Sequence, residues 1–254
     1  MPSIRIRDQN IEYEWIGSKT GEAPTIVFLH EGLGCVAMWR DFPMRVAEHS
    51  GCSALVYSRA GYGNSDPISL PRPVSFMHEE ALRVLPNVLE TFEIHEPLLF
   101  GHSDGGSIAL IHAGSGKTKL RGLILEAPHV FVEQLSIESI IKAKDAYQNG
   151  SLKTTLERYH GTNVECAFRG WNDVWLSPEF RSWNIEEFLP NINAPVLVIQ
   201  GENDQYGTMK QVEAIANGCA GVVETLVLAD CGHSPHRDRP DEVLQRTVTF
   251  IGKL

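Results

Sequence analysis

The chain has 254 residues, with 22 Lys and Arg against 32 Asp and Glu, a formal net charge of −10, and 43% hydrophobic residues. This fits one globular α/β domain, or one domain with an insertion, and excludes a disordered, collagen-like or coiled-coil chain. The acidic balance argues against nucleic-acid binding, which depends on neutralising phosphates, and against docking on an anionic membrane.

Alternation of Ile4, Ile6, Ile11, Tyr13 and Trp15 with polar residues predicts an opening hairpin turning at Asp8-Gln9-Asn10. Short apolar runs at 25–29, 54–57, 97–100, 122–125, 195–199 and 222–228 predict strands covered on both faces. Helical periodicity falls between them, at 38–49, 76–92, 105–113, 210–216 and 241–250. The alternation predicts a doubly wound, mostly parallel α/β sheet with an antiparallel N-terminal hairpin at one edge. Residues 130–189 break the alternation with short helical patterns and many aromatics, among them Phe131, Tyr147, Phe168, Trp171, Trp175, Phe180 and Trp183. The expected organisation is a core of 1–129 and 190–254 with a helical cap, 130–189, inserted over the sheet's carboxyl edge. Residues 67–73 read as an extended loop.

No stretch approaches the roughly 20 apolar residues of a spanning helix. The opening Met-Pro-Ser-Ile-Arg-Ile-Arg lacks the apolar region of a secretory signal. Cys35, Cys52, Cys166, Cys219 and Cys231 are odd in number and form no C-x-x-C pair. We expect buried reduced thiols in a cytoplasmic protein, with no disulfide framework and no zinc site.

Two glycine motifs carry no phosphate chemistry. Gly32-Leu33-Gly34-Cys35-Val36-Ala37 fits the loose dinucleotide pattern, but a hairpin precedes its strand and His30 and Glu31 intervene. Gly114-Ser115-Gly116-Lys117-Thr118 resembles the end of a P-loop, yet it follows a helix and has Ile111 where a glycine is required.

The third motif is different. Gly101-His102-Ser103-Asp104-Gly105 joins a predicted strand to a predicted helix, the context that gives G-x-S-x-G its meaning. The sharp turn lifts the Ser103 hydroxyl above the sheet, and side chains at Gly101 or Gly105 would collide across the turn. A serine hydroxyl needs a base, itself oriented by a third group. His233 follows the last strand and is the expected base. Asp204 lies just past the strand at 195–199 and is the expected acid. Glu126 is the main rival, with Glu202 and Asp230 also in reach. The chain order Ser103, Asp204, His233 is the one expected on such a sheet. His236 is expected at the surface, because Pro235 precludes a regular helix presenting two imidazoles to a metal. An acyl-transfer site also needs two oxyanion donors. The N–H of Asp104 follows from the turn, and the loop His30-Glu31-Gly32-Leu33-Gly34 should supply the other, with Gly32 favoured and Glu31 second.

With these residues in place the chain resembles the α/β-hydrolase superfamily, over nearly its whole length apart from detail in the cap. It is most similar to capped esterases and carbon–carbon bond hydrolases of the pimeloyl-carrier-protein methyl ester esterase and meta-cleavage product hydrolase type. The resemblance implies the His30 loop as oxyanion loop, Ser103 as nucleophile, Asp204 as acid and His233 as base. Residues 58–65, Ser-Arg-Ala-Gly-Tyr-Gly-Asn-Ser, resemble the superfamily's D-x-R-G-x-G-x-S loop, with Ser58 near the usual acid. One departure is Glu31 where the superfamily usually has glycine. Its carboxylate would oppose an oxyanion if it pointed inward, so we expect it paired or turned away. Asp104 occupies a position that is often apolar, and reads as a helix-stabilising first-turn acid.

The expected activity is cofactor-free and metal-free hydrolysis of a carboxylic ester of a small to medium apolar or aromatic molecule. Glu31, Leu33, Phe168, Trp171, Trp175 and Trp183 are candidates to line its binding site. Carbon–carbon bond cleavage, lactonase, amidase or perhydrolase chemistry, and a slow-turnover receptor role share the same residues. No nucleic-acid or membrane partner is expected.

Overall fold

The computed structural model describes residues 2–18 and 23–254. One eight-stranded sheet organises it, with strand order β1-β2-β4-β3-β5-β6-β7-β8. The strands are β1 (Ser3–Ile6), β2 (Gln9–Ile16), β3 (Thr25–Leu29), β4 (Ser53–Tyr57), β5 (Leu98–His102), β6 (Gly122–Glu126), β7 (Val196–Gly201) and β8 (Val223–Leu228). β1 and β2 pair antiparallel, β2 joins β4 antiparallel, and all pairs from β4 to β8 are parallel. The hairpin turns one residue earlier than the pattern suggested. Ile6 pairs with Gln9, which leaves Arg7-Asp8 as the turn, with Arg7 at φ +57°.

The helices are α1 (Phe42–Ser50), α2 (Phe76–Glu79), α3 (Leu85–Thr91), α4 (Asp104–Gly114), α5 (Gln134–Asn149), α6 (Leu152–His160), α7 (Val164–Trp175), α8 (Met209–Gly218), α9 (Pro235–Asp238) and α10 (Pro240–Ile251). A π-helical turn, Glu80–Val84, makes α2 and α3 one continuous segment. The helix expected over 38–49 is broken into a 3-10 turn, Val36–Trp39, and α1. Arg40 takes φ +55°, and Pro43 can start a helix but cannot continue one.

The apolar strand runs follow from burial on both faces. Val27, Leu29, Leu55, Leu99, Leu123, Leu125, Val196 and Val198 face one core, with α2–α4, α8 and the 130–189 segment. Their neighbours Ile26, Phe28, Ala54, Val56, Leu98, Phe100, Ile124, Leu197 and Ile199 face the other, with α1 and α10. Strands β3 to β7 each feed both cores, so hydrophobicity does not alternate along them. The run 222–228, read as covered on both faces, forms the edge strand β8 and leaves Val222 and Val227 exposed. No helix among the described residues is long and apolar enough to cross a membrane. All five cysteines are free; Cys35, Cys52 and Cys231 are buried, and Cys166 and Cys219 are half-buried.

The chain crosses from β3 to β4 in one direction, then returns past β3 to β5 and continues the other way. The strand order therefore reverses between β3 and β5. The crevice at the carboxyl ends there is where open α/β sheets bind ligands. The His30 loop leaves β3 at this point, and Ser103 leaves β5.

α4 must approach β3 closely at this reversal. A Cβ on Gly105 would fall 2.0 Å from the carbonyl oxygen of Leu29, and one on Gly101 would fall 2.5 Å from the carbonyl oxygen of Gly105. Only the Gly101 collision runs across the turn; Gly105 is required by the neighbouring strand. Gly105→Ala should therefore lower stability by at least about 2–3 kcal/mol. Gly252→Ala, whose added Cβ meets nothing closer than 3.5 Å, should stay within about 0.5 kcal/mol of the parent. Urea denaturation checks both, and equal midpoints for the two variants would remove this steric account.

Candidate active site

Ser103 sits between β5 and α4 at φ +53°, ψ −117°, a conformation few side chains adopt without strain. Its N–H donates to the carbonyl of Glu126 on β6 (2.8 Å), and its carbonyl accepts from Ser107 in α4 (3.0 Å), so both neighbouring elements hold the strain. Ser103 is 6% exposed. Its Oγ lies 2.9 Å from His233 Nε2.

The other face of that imidazole fixes its tautomer. His233 Nδ1 lies 2.9 Å from both oxygens of Asp204, and a carboxylate only accepts. Nδ1 therefore carries the proton, and Nε2 is free to accept from Ser103. Asp204 is held in turn by Tyr206 N–H (2.7 Å) and Gln200 Nε2 (2.8 Å). Burial would raise its pKa, but the facing His233 and the hydrogen bonds from His233 and Tyr206 outweigh burial and take it down to about 2. The rival Glu126 is engaged elsewhere. Its Oε2 accepts from His236 Nδ1 at 2.6 Å. His236 is thus not at the surface: it is 4% exposed and packed against Trp39 and Phe42. Pro235 does start a short helix, α9, but that helix turns the ring inward to Glu126. His102, Glu126 and His236 bring ligand-type atoms within 4.8 Å of one another. Their ring protons are engaged at Glu126 and at the His233 carbonyl.

The loop after β3 is clamped by its own backbone. Arg59 N–H donates to His30 Nε2 (3.1 Å), so His30 Nδ1–H donates to the Glu31 carbonyl (2.7 Å) and the ring is neutral. Burial pulls its pKa well below the usual histidine value. The Arg59 guanidinium donates to the carbonyls of His30 (2.5 Å) and Glu31 (2.9 Å). In the 58–65 loop the acid comes from another strand: Glu12 of β2 accepts from Ser58 Oγ (2.7 Å) and from Asn64.

Glu31 turns behind the loop. Its Oε2 faces His102 Nδ1 at 3.5 Å, and its Oε1 faces Arg237 at 3.6 Å. Burial opposes the charge, but His102 and Arg237 prevail and hold the carboxyl well below the usual range. His102 is fully buried, which lowers its pKa, yet the hydrogen bond and charge of Glu31 raise it overall. Its Nε2–H donates to the carbonyl of His233 (2.6 Å). The acid that departs from the superfamily pattern is therefore paired, and through His102 it braces the segment carrying His233.

The 130–189 segment reaches the same crevice. A Cβ on Gly32 would fall 2.2 Å from the Trp171 indole, so that ring covers this glycine. His160 accepts from Gly63 N–H (3.0 Å) and donates to the Leu33 carbonyl (2.9 Å), tying α6 to two core loops. Leu33 itself is half-buried. Trp175 Nε1–H donates to Asp104 Oδ1 (3.2 Å), and its ring packs on His129, Phe180 and Trp183. Phe168 lies a layer further out, stacked on Tyr147 at 3.7 Å and edge-on to Trp171.

Sequence reasoning missed His129 and Tyr206, whose rings stand 5.8 and 4.7 Å from the His233 ring. Both follow strand ends in loops without a motif. Burial drives the His129 pKa down to about 4, so this second imidazole is neutral.

Asp104 departs from the role read for it. It is completely buried, and desolvation pushes its carboxyl up to about 6 despite Arg59, Arg72 and the Trp175 hydrogen bond. A carboxyl raised in this way binds its proton more tightly folded than unfolded. Its cost is absent below the unfolded value of 3.8 and reaches its full size above about 6. That cost is about 3 kcal/mol, because every tenfold gain in proton affinity on folding corresponds to about 1.4 kcal/mol. Asp104→Asn should remove this part of the pH dependence, so its stability relative to the parent should rise between pH 4 and pH 8. Urea denaturation at both values checks it, and parallel curves for the two proteins would show that burial does not penalise the Asp104 charge.

Comparison with known proteins identifies the family and the fold. Residues 26–246 match the model of the alpha/beta hydrolase family. A 2-succinyl-6-hydroxy-2,4-cyclohexadiene-1-carboxylate synthase of Salmonella paratyphi C is 34% identical over 257 residues, covering 90% of this chain and 94% of that protein. Among solved structures, an esterase from Exiguobacterium antarcticum superimposes with a TM-score of 0.78 at 20% identity, covering 98% of each chain. The enol-lactonase from Burkholderia xenovorans gives 0.76 at 20% identity, covering 99% of this chain and all of that one. The family match over most of the sequence, on a sheet whose strand ends carry Ser103, Asp204 and His233, shows that the chain belongs to the alpha/beta hydrolase family.

Proposed function

We propose that the protein is a serine hydrolase cleaving a carboxylic ester, open-chain or cyclic, of a small molecule through an acyl-enzyme. The observation that carries this reading is the hydrogen-bonded line Ser103 Oγ, His233, Asp204 at the sheet's strand-order reversal. Ser103 Oγ attacks the carbonyl carbon while its proton passes to His233 Nε2. The oxyanion accepts from the N–H of Asp104, which as first residue of α4 has no partner within its helix, and from that of Gly32. The Nε2 proton then goes to the leaving oxygen, the C–O bond breaks, and the acyl group stays on Ser103. Water, deprotonated by His233, attacks that ester and releases the acid. Asp204 keeps the imidazole tautomer and stabilises the imidazolium. The esterase and enol-lactonase folds are consistent with ester and lactone substrates. Burial of Ser103, with Trp171 over Gly32 and Trp175 over Asp104, favours a compact substrate.

The synthase name of the 34% relative favours a second reading. There Ser103 and His233 serve a synthase-type reaction in which no acyl-enzyme forms.

Ser103→Ala should lower kcat on short chromogenic esters by at least about 10³-fold and abolish labelling by a fluorophosphonate. Intact mass during turnover should show the acyl adduct on the parent. Labelling confined to another serine would overturn the nucleophile. Ser103 labelling without any acyl adduct or ester turnover would favour the second reading.

The tryptophan over the oxyanion loop should govern substrate size. Trp171→Ala should change the kcat/KM ratio between short and branched esters by about 10–200-fold, whereas Phe168→Ala, one layer out, should act on all esters alike. A chain-length series measures both, and equal behaviour of the two variants would place the pocket wall elsewhere.

A further inference from the structure

Asp104 follows the nucleophile directly and sits under Trp175. One carboxyl oxygen accepts from Trp175 Nε1–H. The other, Oδ2, is buried and finds no partner among the described residues. The cations that bear on it are engaged elsewhere: Arg59 on the carbonyls of His30 and Glu31, and Arg72 on Glu80 (3.0 Å) and the Tyr62 hydroxyl (3.1 Å). Its remaining titratable neighbour is His233. A carboxyl is not needed at this place for the fold. A neutral amide would satisfy the indole N–H, and an acid serving the helix terminus would do so more cheaply at the surface. Other buried oxygens also lack a protein partner, Glu80 Oε2 among them, but Asp104 Oδ2 is the one carried by the residue next to Ser103 at the start of α4, where a bound substrate would lie.

We infer that Asp104 is the substrate-selecting group of this site, its Oδ2 accepting a hydrogen bond from a hydroxyl carried within a few atoms of the scissile carbonyl. The substrates are then hydroxy-substituted esters or lactones, not plain alkyl esters. A hydroxyl fits better than an ammonium, because Arg59, Arg72 and the imidazolium formed at His233 would all repel a second cation. Trp175 holds the carboxyl in place with its one N–H, and its indole is itself backed by Phe180 and Trp183. This inference rests on the serine-hydrolase reading above.

The test compares matched ester pairs: ethyl lactate with ethyl propionate, ethyl 3-hydroxybutyrate with ethyl butyrate, and 2-hydroxyethyl butyrate with ethyl butyrate. The ethyl ester of alanine serves as the amine arm. The measured quantity is the hydroxy-to-alkyl ratio of kcat/KM in the parent divided by that in Asp104→Asn and Asp104→Leu, which cancels the intrinsic reactivity of each ester. Asn is isosteric and covers the case in which the leucine variant does not fold. At least one pair should lose about 10- to 100-fold of its hydroxyl preference in both variants, since a site built to bond a hydroxyl discriminates strongly. Trp175→Phe, which keeps a ring but not the N–H, should lose part of the same preference. Fluorophosphonate labelling of Ser103 is followed in every protein. Unchanged ratios in all three pairs with Ser103 labelled would overturn the inference and leave the hydrolase reading standing. A parent that favours the amino ester over the hydroxy esters would overturn the hydroxyl assignment. A parent neither labelled nor active on any ester would remove the reading on which the inference rests.

Discussion

The approach of α4 to β3, with the Cα of Gly105 against the carbonyl of Leu29, is the constraint on which the rest of this site depends. It lets the helix start within one residue of the strand end, and so forces Ser103 to φ +53°. Ladder contacts to β6 and the first turn of α4 over-determine that conformation. The same approach brings the N-terminus of α4 beside the loop leaving β3. Backbone N–H groups of two elements can therefore approach one point in space, as the proposed oxyanion site requires.

Four acids stand at the carboxyl edge of the sheet, three buried and Glu31 half-buried, and their partners differ. Asp204 faces His233, Glu126 faces His236, and Glu31 faces His102 and Arg237. Each of these carboxyls has an imidazole or a guanidinium within 4 Å, which limits the desolvation cost of burying it. Asp104 alone has only an indole N–H. Its pKa moves up to about 6 while that of Asp204 moves down to about 2, although both are carboxyls of the same crevice. Pairs of acids driven apart in this way tend to mark functional sites. Here they separate an acid paired with His233 from one that has only an indole N–H.

Much of the site lies in loops that contribute little to the cores, yet these loops are fastened to one another. Arg59 clamps the oxyanion loop, His160 ties α6 to it, and His102 ties the elbow to the carbonyl of His233. These are hydrogen bonds between side chains and backbone carbonyls, so they fix position without leaving backbone acceptors unpaired in a closed crevice. Preorganisation of this kind supports charge stabilisation during acyl transfer.

The sequence by itself determined the strands, the elbow and the members of the hydrogen-bonded line. Strand runs buried on both faces are continuous apolar stretches, G-x-S-x-G carries its own steric logic, and the acid and base fall at strand ends in a fixed chain order. Only the tertiary structure decided how the remaining polar residues pair. His236 reads as a surface residue beside a proline, Glu126 as a rival acid, and Glu31 as a charge at odds with its loop. Their partners lie 110 residues away for His236 and 71 for Glu31, on elements whose side-chain directions no local period encodes. Asp104 shows the limit most plainly. An acid in the first turn of a helix is stabilising when hydrated, and its burial beneath Trp175 depends on where the 130–189 segment comes to rest. Periodicity records which face of an element is apolar, whereas pairing of buried charges depends on distances that exist only once the chain is folded.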